Sequence, residues 1–231
     1  MFDISPAEWT AILLSLRVAV VATLVATPFG IALAWLLARR EFWGKSILDA
    51  AVHLPLVLPP VVTGYLLLLS FGRRGLVGAW LADHLGIVFA FRWTGAALAC
   101  GIMSFPLLVR PIRLSIEAVD RRLEQAAGTL GAAPWRVFFT ITLPLALPGV
   151  LAGMVLGFAK AIGEFGATIT FVSNIPGETQ TISSAIYSLI QTPDGDTAAL
   201  RLVVVSVFIA MAALVASEWF ARRATQRLHG N

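Results

Sequence analysis

Apolar residues gather into five long runs, at about residues 12–37, 47–69, 93–109, 143–162 and 198–219, separated by intervals that hold most of the charge. An α-helix needs about 20 apolar residues to cross the roughly 30 Å of a bilayer's hydrocarbon. The pattern therefore predicts an all-α integral membrane protein with five transmembrane helices. The first run follows Asp3 and Glu8 rather than a basic segment, exceeds signal-peptide length and ends in Ala38-Arg39-Arg40, so it is expected to stay as a membrane helix. Trp9, Trp35, Trp93 and Trp219 fall near run ends, where amphipathic rings favour the interface. Pro55, Pro59 and Pro60 in the second run, Pro106 in the third and Pro144 and Pro148 in the fourth are expected to bend their helices by removing backbone bonds.

The intervals differ in sign. Arg39, Arg40 and Lys45 follow the first run, Arg110, Arg113, Arg121, Arg122 and Arg136 follow the third, and Arg222, Arg223 and Arg227 follow the last. The other side has Arg73, Arg74 and Arg92, with Arg201 at the mouth of the last helix. Basic loops stay in the cytoplasm, so the N-terminus is expected outside and the C-terminus inside.

The longest cytoplasmic interval, about residues 113–141, has a pattern of its own. Asp120 suits a helix N-cap, and Leu123, Ala126, Ala127 and Leu130 recur at i, i+3, i+4 and i+7. Gly131 suits the left-handed residue that closes such a helix, and Pro134 can open the next. Two short helices around a tight corner are predicted, with Arg121, Arg122, Glu124 and Gln125 surrounding the small face. Periodicity alone fits both a surface that docks on a soluble partner and a connector lying on the headgroups.

Composition agrees with a lipid solvent. The 231 residues are 58% apolar, 13% charged and have a mean hydropathy of +0.84, whereas soluble domains carry about 25% charge. The length fits one domain, residues 1–231. The net charge of +4 is spread in small clusters between runs, which argues against nucleic acid. Cys100 is alone, excluding disulfides within the chain and cysteine metal sites. Gly44-Lys45-Ser46 resembles the end of a phosphate-binding loop, but the signature's first glycine falls at Arg39, so no ATP site is expected here.

Lys160 and Glu164 are spaced i, i+4 near the outer end of the fourth helix. With Phe165, Ser173 and Asn174 they are candidates for the pathway or its external gate, since ionisable groups in membrane segments are costly. The competing reading is a mutual ion pair that snorkels to the interface and fixes helix rotation. The acidic segment that follows, free of basic residues from 167 to 197, has a turn expected at Asn174 to Gly177 and a short helix from Ile182 to Gln191, and offers a docking surface to an external partner.

The spacing Gln125-Ala126-Ala127, three residues, Gly131, nine residues, then Ile141-Thr142-Leu143-Pro144 resembles the EAA loop of bacterial ABC-importer permeases. The resemblance implies a cytoplasmic coupling loop that contacts the ATPase subunit through Arg121, Arg122, Leu123, Glu124, Gln125, Ala126, Ala127, Gly128, Leu130, Gly131, Ala132 and Trp135. Gln125 stands where the motif has glutamate, and Glu124 lies just before it. Within that family, the segments Gly163 to Ile182, His53 to Pro60 and Ser188 to Pro193 are similar to molybdate permeases. Sulfate permeases share some of these elements but are usually longer. Membership implies a second copy of the chain, two cytoplasmic ATP-binding cassette subunits that hold ATP and Mg, an external oxyanion-binding protein, and the inner membrane of a bacterium. Tungstate is an expected co-substrate.

Two other classes compete. A secondary transporter would show internal repeats, and no repeat is visible between the halves. A membrane enzyme would need an intramembrane catalytic set, but His53 has no second histidine partner in its run, and His84 and His229 fall in loops or the tail.

Overall fold

The computed structural model describes residues 4–229, with side chains described to residue 216. Asp3, and the side chains of Trp219, Arg222, Arg223, Arg227 and His229, lie outside the described residues. Among the described residues the secondary structure is entirely helical.

The first helix, α1 (Pro6–Arg39), starts at a capping box. The Ser5 hydroxyl accepts from the Glu8 amide at 3.2 Å, while the Glu8 carboxylate accepts from the Ser5 amide at 2.6 Å. This uses the free N–H groups that every helix start exposes, and Pro6 supplies a pre-set first residue.

The second run does not form one straight span. It divides into α2 (Lys45–Val57) and α3 (Pro60–Phe71), which meet at 114°. Pro59 and Pro60 remove two donors, and a residue before proline is pushed out of the helical region, as Leu58 is with ψ of 143°. The expected bend is thus a full break, giving four long spanning helices, or five if the bent pair is one crossing.

The interval after α3, expected as a plain loop, contains α4 (Leu76–Leu85), closed by Gly86 at φ +65°. The third helix, α5 (Trp93–Ala118), runs well past the expected end at residue 109, because Arg110 and Arg113 continue the helix instead of leaving it. Arg113 reaches Asp49 on α2 at 3.0 Å and Glu117 at 2.8 Å.

After α5 come α6 (Arg121–Thr129), α7 (Pro134–Val137), a π-helical turn at Phe138–Thr142 and α8 (Leu143–Ile162). The last three join into one 29-residue helix from Pro134 to Ile162. The second short helix expected in the loop is therefore the first turn of a spanning helix. The long external segment holds an unforeseen α9 (Gly166–Val172), the expected short helix as α10 (Ile182–Leu189), and then α11 (Asp196–His229).

The centre of the molecule is α5 against α1 and α8. Gly149, Gly153 and Gly157 form a stripe on α8 at intervals of four, and a Cβ on Gly153 would lie 2.5 Å from the Leu108 carbonyl oxygen. Backbones approach this closely only where side chains are absent, which is how helices associate without a hydrophobic driving force. Glycine sets a second close contact: a Cβ on Gly64 of α3 would meet the Ala167 carbonyl of α9 at 2.5 Å. The two ends of the bundle are tied separately. Arg201 of α11 donates to Glu8 at 2.8 and 3.1 Å, and the Ile182 amide donates to Ser15 at 2.7 Å. Arg39 and Arg113 make the ties at the opposite end.

Candidate functional site

The corner between α6 and α7 follows from a few residues. Asp120 caps α6, its carboxylate accepting from the Arg122 amide at 2.9 Å. At the other end the Gly131 amide donates to the Gly128 carbonyl at 3.0 Å, and the Ala132 amide to the Ala127 carbonyl at 3.1 Å. Gly131 has φ of +84°, which a side chain would strain. These bonds make a Schellman stop, and Pro134 begins the next helix at its first position.

The surface so formed faces outward, since none of α6 is buried. Leu123 is 50% exposed, Leu130 89% and Trp135 63%. Gln125, Ala126 and Gly128 are exposed beside them, and Ala127 and Ala132 are half-buried. So much apolar surface gathered around a short polar helix and the corner after it is a mark of an interaction site.

Two charged residues expected to surround this face turn away from it. Glu124 accepts on one carboxylate oxygen from Arg39 at 3.0 and 3.2 Å and from the Thr142 hydroxyl at 2.6 Å. Arg39 also donates to the Val119 carbonyl at 3.0 Å, and Arg121 donates to the Ala38 carbonyl at 3.3 Å. Glu124 and Arg121 therefore hold the corner to α1 and the π-helical turn, beside a cleft of about 330 Å³. Arg122 and Gln125 remain exposed polar groups on the free face.

Lys160 and Glu164 do meet, at 2.7 Å. Glu164 is the inner member of the pair: its side chain is 1% exposed against 30% for Lys160, and its second oxygen accepts from the Ala167 amide at 3.0 Å. It thus occupies the first turn of α9 and ties the elbow after α8. Phe165 lies 4.9 Å from the Tyr187 ring. Ser173 takes a left-handed φ of +67°, and its carbonyl accepts from the Thr179 hydroxyl at 3.2 Å. The Asn174 amide donates to Ser188 at 2.7 Å, while its buried carbonyl oxygen has no partner among the described residues. The expected turn follows, with the Glu178 amide donating to the Ile175 carbonyl at 3.0 Å. The five candidates share one end of the bundle, but only Lys160 and Glu164 touch through polar atoms.

One functional group escaped the pattern reading. Arg17 lies inside the first apolar run, and its guanidinium carbon sits 3.8 Å from the centroid of the Trp93 ring on α5. The signal was an arginine about three turns inside a helix that starts at Pro6. Among the described residues, no group of three or more metal-ligating side chains comes together.

Residues 26–228 match the family described as "Binding-protein-dependent transport system inner membrane component". The chain belongs to that family. The chain is 63% identical over 220 residues to "Molybdenum transport system permease protein ModB" of Escherichia coli (strain K12), covering 95% of this chain and 96% of that protein. It is 57% identical over 221 residues to the protein of the same name from Haemophilus influenzae, covering 96% of each. The fold matches the crystal structure of a bacterial ABC transporter involved in the import of the acidic polysaccharide alginate. The TM-score is 0.72 at 21% identity, over 96% of this chain and 81% of that one. The chain is accordingly a multi-pass helical membrane protein with an ABC-permease fold.

Proposed function

We propose that this chain is the transmembrane permease of an ABC importer that carries molybdate, and tungstate with it, across a bacterial inner membrane. The observation that carries the reading is the exposed corner at residues 121–135, on a chain so similar to molybdenum permeases. A corner with a fixed stop, small residues and exposed Leu123, Leu130 and Trp135 is suited to a groove on an ATPase subunit. The whole chain acts as one permease domain. Two copies form the pathway, two cassette subunits bind ATP and Mg, and an external binding protein delivers the oxyanion to the opposite end. The N-terminus is outside and the C-terminus inside, which puts the corner with Arg39, Arg113 and Arg121 in the cytoplasm, as the basic loops require.

ATP binding moves the pathway only if the ATPases contact the corner differently in their open and closed states. The anchoring of α6 through Glu124 and Arg39 makes the corner part of the same body as α1 and α8, so a push on α6 displaces helices rather than a loose loop. Lys160 and Glu164 act as a brace at the external gate, because Lys160 is already paired with the Glu164 carboxylate and this pair offers no net charge to trap a dianion. A pathway that must release its cargo is served by such neutrality.

Reconstitution with the ATPase and binding protein tests the reading. Molybdate-loaded binding protein should stimulate ATP hydrolysis, and Ala127→Arg or Gly131→Pro should abolish that stimulation by disturbing the docking face and the corner. Full stimulation in both variants would refute the coupling role. Stimulation by sulfate or thiosulfate in place of molybdate would reassign the cargo while leaving the coupling role intact.

A further inference from the structure

A groove of about 630 Å³ opens on the flank of the bundle between α1, α2 and α5. Its walls follow helix periodicity: Val21, Val25 and Phe29 step along α1 at intervals of four, and Leu98, Ile102 and Phe105 line it from α5. From Trp93 to Phe105 the α5 wall is about 18 Å long at 1.5 Å per residue. One leaflet is about half of the roughly 30 Å hydrocarbon core, so the groove has the depth of a single leaflet. Among the described residues that line it, Thr94 and the Trp93 indole carry the polar side-chain groups, both at its head.

Arg17 stands at the head of this groove, one helical turn before Val21 and over Trp93, which itself lines the wall. The residue is exposed, and among the described residues no carboxylate pairs with it. The indole covers one face of the guanidinium, and the N–H fork around its edge matches the oxygens of a phosphate. Tryptophan favours the headgroup level, which places the cation where lipid phosphates lie.

We propose that the groove is a site for an anionic phospholipid, with its phosphate on Arg17 and one acyl chain lying between α1 and α5. The cation at its head favours a lipid over a helix of a second copy, because a phosphate would pair with Arg17 whereas an apolar helix would cover the guanidinium without a partner.

The test uses the assembly purified in a neutral maltoside detergent and titrated with dipalmitoyl phosphatidylglycerol, with bound lipid counted by native mass spectrometry. The wild type should retain one phosphatidylglycerol per copy of this chain, at least fivefold more tightly than phosphatidylcholine with the same chains. Arg17→Gln should weaken phosphatidylglycerol about tenfold and leave phosphatidylcholine unchanged. Val25→Trp, at an exposed position on the groove wall, should weaken both lipids. Excess inorganic phosphate should displace neither. Equal retention of the two lipids by the wild type, or unchanged phosphatidylglycerol retention in Arg17→Gln, overturns the proposal. So does displacement by free phosphate, which marks a simple anion site, or disulfide linkage of Val25→Cys between two copies, which marks a protein occupant.

Discussion

Removing the Glu124 carboxylate should loosen the corner without unfolding the bundle. In Glu124→Ala, Arg39 loses two hydrogen bonds at 3.0 and 3.2 Å, and Thr142 loses one at 2.6 Å. The Arg39 side chain is only 8% exposed and that of Glu124 19%, so water replaces the lost partner poorly. Breaking a fully buried ion pair costs about 3–5 kcal/mol. Here Arg39 keeps the Val119 carbonyl and the site borders the cytoplasmic face, so about 2–3 kcal/mol is expected. At about 1.4 kcal/mol per tenfold, that is a 30- to 150-fold rise in local opening. Hydrogen–deuterium exchange of the amides in 121–132 measures it directly, with 143–162 as an internal reference. Glu124→Gln keeps one acceptor oxygen and should give a smaller rise. Arg39→Ala combined with Glu124→Ala should cost clearly less than the sum of the two single variants, since both remove the Arg39–Glu124 pair and only the Thr142 and Val119 bonds are lost separately. A change below threefold in Glu124→Ala, or additive effects in the double variant, would refute the anchoring role.

Other outcomes follow from packing. Gly153→Ala forces a Cβ against the Leu108 carbonyl and should destabilise by about 1–3 kcal/mol, whereas Gly157→Ala meets Leu108 at an ordinary 3.6 Å and should be neutral or better; thermal unfolding in detergent separates them, and equal melting points would contradict the close packing. Lys160→Met leaves the Glu164 carboxylate buried with the Ala167 amide as its remaining partner and should cost about 3–5 kcal/mol, while Glu164→Gln, which leaves unpaired only the more exposed Lys160 ammonium, should lower the melting point less. Cys100 is 1% exposed in the central cluster, so maleimide should modify it only after denaturation; rapid labelling of the folded protein would show that the α1–α5 interface opens.

How far the sequence could be read depended on whether a feature is local. Asp120, Gly131 and Pro134 each impose a backbone state on their own position, and the corner they announce is present in detail. The break at Pro59 and Pro60 was announced by the same logic, but its 114° angle was not, because the angle depends on the packing of α3 against α9. α4 and α9 were missed because ten and seven residues are too few to show a period against a uniformly apolar background. The direction of Glu124 was also hidden. Its partners lie 85 residues before it and 18 after it, and spacing along the chain says nothing about them. Sequence showed a charged residue beside a docking face, and only the fold shows that the charge points inward.

The π-helical turn at Phe138–Thr142 has a consequence for insertions and deletions. A π turn accommodates a residue more than an α turn, and each residue of an α-helix advances the chain by about 100°. Deleting one residue there would restore the regular ladder at nearly the same angular phase between the corner and the glycine stripe of α8, whereas deleting one residue from the regular part of α8 would rotate the two by about 100°. The turn thus holds one residue in reserve between the part that receives force and the part that moves, and a single-codon deletion within it should leave coupling far less damaged than one a turn further along α8.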